Sequence, residues 1–103
     1  MIGDKDLGIL QVMNSSPSLR QLVWQVAADL GYQRYFLEAR GGLEDDHMPF
    51  LSLGVNALDL IDFSFGPDNS YWHTDKDTMD KLNAESLEVV GRVLVEVLHR
   101  LEK

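Results

Sequence analysis

The chain has no cysteine, so disulfides, thiolate zinc sites and a cysteine nucleophile are excluded. Basic residues are scarce: 9 Lys and Arg stand against 17 Asp and Glu, for a formal net charge of −8. An acidic chain repels nucleic-acid phosphates, so neither DNA nor RNA is an expected partner. No apolar run approaches the roughly 20 residues that cross a bilayer, so no membrane span is expected. The opening "MIGDKDLG" lacks a basic stretch followed by an apolar one and does not read as a signal peptide. Internal repeats, low-complexity tracts and linkers are missing too. What is present is ordinary globular material, 45% hydrophobic and 25% charged, sized for a single domain over residues 1–103. A chain of this length buries a core with little margin.

Hydrophobic spacing organises the chain into alternating strands and helices. "MIGDKDLGIL" reads as a strand interrupted by two Gly and three charges. "SSPSLRQLVWQVAADLGY" is the clearest helix: Ser16 can cap it and Pro17 suits its first position. Leu19, Leu22, Val23, Val26 and Leu30 form an apolar stripe, and Gly31 suits a left-handed stop. "YQRYFLEARGGLE" carries a short strand. "DDHMPFLSLG" reads as a short helix opened by Asp45 or Asp46 and closed by Gly54. "VNALDLIDFSF" is nearly continuously apolar and suits a strand buried on both faces. Its Asp59 and Asp62 then need partners. A last helix runs from about Asn83 to Leu101, with Leu87, Val90, Leu94, Leu98 and Leu101 along one face. This order argues α/β layers around a mixed or parallel sheet.

Two polar clusters bracket the buried strand. Glu44, Asp45, Asp46 and His47 precede it; His73, Asp75 and Asp77 follow it within "YWHTDKDT". Ligands of open α/β sheets gather at the carboxyl ends of strands, which is where His73 falls. An imidazole with nearby carboxylates can hold zinc, but the spacing lacks a His pair one helical turn apart. A loop His beside Trp can equally be a hydrogen-bonded surface residue. Asp45 and Asp46 can be capping or solvated acids. Trp24 belongs to the core of a long helix, whereas Trp72, in a turn-rich segment, can wall a pocket. His99 sits where a helix dipole favours a cation.

Read together, "EDDHMPFLSLGVNALDLIDF" and "YWHTDKDTMDKL" resemble the C-terminal part of the zinc-dependent exopeptidases, the family of aminopeptidases and glutaminyl cyclases. That family shows an acid-Asp-His-x-Pro-Phe segment, a turn with Gly-Val/Ile-Pro into a buried strand, an aromatic-His-Thr-x-x-Asp-Thr segment and a long terminal helix. "MIGDKDL" resembles its Asp-Met-Ile/Val-Gly strand. The resemblance implies a fragment of a zinc exopeptidase-like fold, a partial three-layer α/β/α arrangement with a short mixed sheet and two long amphipathic helices. It implies His73 as a zinc ligand, Asp46 as the acid of the proton and hydrogen-bond network, Trp72 as a wall of the substrate pocket, and His47 in a supporting place there. Two positions depart from the pattern: Asp59 stands where cyclases carry His, and Asn56 where Pro is usual.

In the family the other metal ligands and the catalytic Glu come earlier in the sequence, and one ligand immediately precedes the Met-Ile-Gly strand. Zinc is therefore implied for the intact family domain, with weak or no binding by this chain alone. The implied substrate is a peptide N-terminus, hydrolysed or cyclised, and the isolated chain is expected to be inactive. A homo-oligomer is also expected, because the strand around Ile2 to Leu10 would lose its sheet neighbour. The alternative is a non-catalytic oligomeric binding module that keeps the fold.

Overall fold

Strand β1 (Ile9–Val12) lies at the centre of a three-stranded sheet. It runs parallel to β2 (Phe36–Arg40) and antiparallel to β3 (Leu60–Ile61). The structure is a computed structural model and describes residues 1–102. Ile9 pairs with Phe36 and Leu10 with Ile61, and the register to β2 shifts between Ile9 and Gln11. A parallel pair needs a crossover, and helix α1 (Pro17–Asp29) provides it. After β2 come a five-residue helix α2 (Met48–Ser52), β3, and the 18-residue helix α3 (Ala84–Leu101).

The helix ends follow local chemistry. Pro17 occupies the first turn of α1, and Gly31 takes φ +81° just beyond its end. Asn83 caps α3 by accepting the Ser86 N–H at 2.8 Å. Ser16 precedes α1 without capping it; its hydroxyl accepts the Ala57 N–H at 2.9 Å instead. For α2 the residue at the cap is His47, not Asp45 or Asp46, and Asp45 contributes its backbone carbonyl to Met48 N–H.

α1 and α3 pack against each other and against the sheet. Ile9, Val23, Val26, Val90 and Val93 meet in a core that excludes water almost completely. Trp24 lies at its margin, edge-on to Phe36 at 5.4 Å, and its indole N–H donates to the Leu37 carbonyl at 2.9 Å.

Four further expectations change. Turns flank Asp4 at residues 2–3 and 5–6 in place of the expected strand: Asp4 makes only an isolated bridge to Leu82, and its carboxylate accepts the Asp6 N–H. β1 therefore starts at Ile9 and is paired on both sides, which removes the unpaired edge proposed for it. The strand expected in "VNALDLIDFSF" shrinks to Leu60–Ile61, half-buried at a sheet edge. Its neighbours spend their N–H groups elsewhere: Ala57 and Asp59 donate to the Ser16 and Ser15 hydroxyls, and Ser64 to Asp62. On α3 the buried face is Ser86, Val89, Val90, Val93 and Val97, while Leu87, Leu94, Leu98 and Leu101 are exposed. Both stripes have helical spacing, so periodicity alone could not choose between them.

Asp62 is fully buried, and its carboxylate accepts N–H groups from Gly8 and Ser64. Burial raises its pKa to about 6, against the pull of the Ser64 and Gly8 hydrogen bonds and with help from the adjacent Asp4 carboxyl. One oxygen of buried Asp4 has no hydrogen-bond partner among the described residues. The folded chain keeps the Asp62 proton up to about pH 6, whereas the unfolded chain releases it near 3.8. Stability from this group is thus complete below about pH 4 and falls as pH rises to 6. Asp4→Asn replaces a like charge with an amide donor, so it should raise stability at pH 7 by about 1 kcal/mol. It should also flatten the loss between pH 4 and 6, as measured by urea melts across that range.

Candidate functional site

The segment after β3 turns sharply before it presents Trp72 and His73. Gly66 opens the turn at φ +79°, and a Cβ there would lie 2.6 Å from the Tyr71 ring. Asp68 and Asn69 follow in the left-handed region, and the Asn69 amide oxygen accepts the Phe65 N–H at 2.9 Å. The Tyr71 N–H returns to the Phe65 carbonyl, and their rings meet edge to face at 5.4 Å. Trp72 then packs edge-on against Phe63 at 5.1 Å and stacks flat on the His73 imidazole, 4.0 Å away at 17°.

His73 has φ +54°. A left-handed residue carrying a Cβ costs about 1–2 kcal/mol, although His, Asn and Asp visit this region more than most. Strain of this kind collects at functional sites. The His73 side chain has no hydrogen bond or ion pair among the described residues; its contact is the Trp72 stack. Trp72 and His73 line a hollow with Asp45, Asp77 and Leu60.

Asp45 also lines a second hollow, with Asp46, His47 and Asp59. His47 is buried at the start of α2. Its Nε2 lies 3.2 Å from the Asn14 amide oxygen, and its Nδ1 lies 3.8 Å from Asp59 Oδ2. Burial raises the Asp59 pKa, and the charges of Asp45 and Asp46 push the same way while His47 opposes them. Asn14 lies two residues beyond β1 and exchanges hydrogen bonds with the Leu43 backbone in both directions, at 2.7 and 3.1 Å. The next two residues, Ser15 and Ser16, hold the backbone at Asp59 and Ala57.

The structure thus brings Trp72 and His73 into one hollow and Asp46 and His47 into its neighbour, with Asp45 common to both. The sequence alone marks Asp45 as a capping or solvated acid and gives Asn14 no role. The available signal is position: Asn14 lies two residues past the carboxyl end of β1. A structural zinc shell needs four donors and a catalytic one three. Among the described residues no group of three or more His, Asp or Glu can hold a metal ion. His73 offers a single imidazole, so the described residues do not by themselves complete a zinc shell.

The model of peptidase family M28 matches residues 1–98. A 57-residue stretch, 55% of the chain, is 40% identical to the glutaminyl-peptide cyclotransferase-like protein of Bos taurus, of which it covers 14%. The crystal structure of an Acidobacteriales bacterium glutaminyl cyclase superposes on 96% of the chain with a TM-score of 0.91 and 40% identity, using 36% of that protein. A leucine aminopeptidase precursor from Bacteroides thetaiotaomicron matches 94% of the chain with a TM-score of 0.83 and 28% identity, using 34% of its own length. The chain therefore spans little more than a third of these solved relatives.

Because His73 is exposed and its ring stacks on Trp72 without a hydrogen bond or ion pair among the described residues, His73→Ala should change folding stability by no more than about 1 kcal/mol. A urea melt checks this; a loss of several kcal/mol would make the imidazole a structural element.

Proposed function

The chain belongs to peptidase family M28, and on that premise we propose that it forms one wall of a zinc-dependent site acting on peptide N-termini. The reaction is cyclisation of an N-terminal glutamine or release of an N-terminal residue. His73 supplies one metal donor and Trp72 an apolar wall beside it. Asp46 acts in the proton and hydrogen-bond network, joined by Asp45, and His47 supports them from behind. His73 would hold the metal together with donors from elsewhere, and the group would supply Lewis-acid activation of the scissile bond. The observation that carries this reading is the Trp72–His73 stack, a left-handed imidazole without other partners among the described residues, in one hollow with Asp45.

The surrounding charge suits the substrate. Both reactions begin with a free α-amine, which is cationic before it reacts. Asp45, Asp46, Asp59 and Asp77 line the two hollows and favour a cation there. Trp72 gives the substrate side chain an apolar face. Among the described residues no group of three or more donors gathers around His73, so a full zinc shell would draw on donors from elsewhere.

A second reading, a non-catalytic binding module, draws on a different observation. Leu87, Leu94, Leu98 and Leu101 of α3 are exposed, at 47%, 38%, 60% and 54%. A contiguous apolar face of this kind marks an interaction surface.

Two outcomes follow. The 103-residue chain with added zinc should turn over neither an N-terminal glutamine peptide nor an aminoacyl-anilide. Turnover of either, abolished by His73→Ala, would overturn that expectation, and the same substitution should abolish activity in any longer active polypeptide that carries these residues. Sedimentation at micromolar concentration should show self-association that Leu98→Glu weakens; a monomer unaffected by the change removes the second reading.

A further inference from the structure

The exposed side of α3 has a spacing of its own. Ala84, Leu87, Gly91, Leu94, Leu98 and Leu101 follow one another at alternating steps of three and four, and all of them face solvent. Steps that alternate in this way keep a single seam turned toward a neighbouring helix along its whole length. The buried residues Val89, Val90, Val93 and Val97 form an adjacent stripe, so the fold of the chain does not use this seam. The seam is small at Ala84 and Gly91 and large at the leucines. A Cβ added at Gly91 would meet nothing within 4 Å, which makes Gly91 an open notch in the helix surface. At the other end Leu87 lies against Gly3, where an added Cβ would stand 3.3 Å from the Leu87 Cδ2. Ile2, next in the chain, is 37% exposed and prolongs the apolar face beyond the helix.

Run antiparallel to a copy of itself, this seam closes. With a two-fold axis between Arg92 and Val93, Gly91 of one copy meets Leu94 of the other, Ala84 meets Leu101, and Leu87 meets Leu98. Every small residue then faces a leucine and no layer is left empty. In a parallel pair each residue would meet its own kind, so the Gly91 and Ala84 layers would be voids that forfeit contact. The rim does not select a charged partner instead. Arg92 is engaged by Glu88 at 2.7 Å, and Arg100 by Glu96 and Asp29. An 18-residue helix is about 27 Å long. Pairing two of them, with Ile2 at each end, buries roughly 1,000 Å² in total, the low end for a specific interface, so the pair forms and dissociates with concentration.

We propose that α3 is a homodimerisation helix that packs antiparallel on α3 of a second copy, with Leu94 of each copy seated in the Gly91 notch of the other. The proposal rests on the second reading above only in so far as that reading makes the leucine face an interaction surface; it does not depend on the zinc chemistry.

Sedimentation equilibrium of the 103-residue chain, from about 10 to about 500 µM, tests it. The expected result is a reversible monomer–dimer equilibrium. Gly91→Leu fills the notch and should raise the dissociation constant about tenfold or more. The substitution also removes a glycine from a helix interior, so the monomer should fold at least as well, which a urea melt checks. A merely sticky patch would respond in the opposite direction, because one more exposed leucine adds apolar surface. Added salt should tighten the dimer, since it screens the repulsion between two chains of net charge −8. The chain has no cysteine, so introduced thiols report the pairing directly. A mixture of Leu87→Cys and Leu98→Cys chains should form a disulfide-linked dimer faster than Leu98→Cys alone. A wild-type chain that stays monomeric over the whole range would overturn the proposal and the interaction surface together. Association that Gly91→Leu leaves unchanged or strengthens would overturn the pairing alone. So would faster cross-linking of Leu98→Cys to itself, or a dimer that salt loosens.

Discussion

Three short polar side chains at the carboxyl end of β1 hold the candidate site together. Asn14 grips the Leu43 backbone through both ends of its amide, and Ser15 and Ser16 take the N–H groups of Asp59 and Ala57. The two segments that bring acids to the site, the turn before α2 and the approach to β3, are thereby tied to the central strand. Each link is a modest hydrogen bond, worth about 1 kcal/mol net. Their effect is geometric as well: they are made at the buried end of the sheet, where Val12, Ser15 and Ser16 exclude water. Removing a partner there would strand buried N–H groups.

The same links account for the short sheet. A strand continues only while its N–H groups face a neighbour's carbonyls. Ala57 and Asp59 give theirs to serine hydroxyls, and Ser64 and Phe65 give theirs to Asp62 and Asn69. The apolar run is thus clipped on both sides of Leu60–Ile61 and becomes loop on either flank. Loop backbone held by side chains is what allows the acids and the Trp72–His73 turn to stand beside the strand end. A longer strand would carry alternate residues away from it.

Charge works differently in the two acidic clusters. Asp62 lies inside the protein beside Asp4, and burial favours its neutral form. Asp45 and Asp46 remain exposed, while Asp59, set deeper, feels the charge of both of them. Buried Asp62 costs stability as pH rises and lines neither hollow. The outer acids create a negative field at the mouth of the site without a comparable burial cost.

Much of the architecture was legible in the residues alone. The 3.6 spacing of α1 and α3, Pro17, Gly31 and Asn83 mark the two long helices within a residue or so of their ends. The family was legible as well, because "DDHMPF" and "YWHTDKDT" combine residue types and spacing that few folds share. What the residues could not settle was each choice between equivalent local options. Valine and leucine stripes on α3 have the same period, and only packing against α1 and β1 selected the valines. Ser16 is a good cap in isolation, yet tertiary folding brought Ala57 within reach of its hydroxyl. Asn14, Leu43, His47 and Asp59 meet only because β1, the turn before α2 and the approach to β3 converge. Hydrogen-bond donors and acceptors find distant partners only when the chain is folded, so local composition determined the elements, and the tertiary structure decided which polar groups became a site.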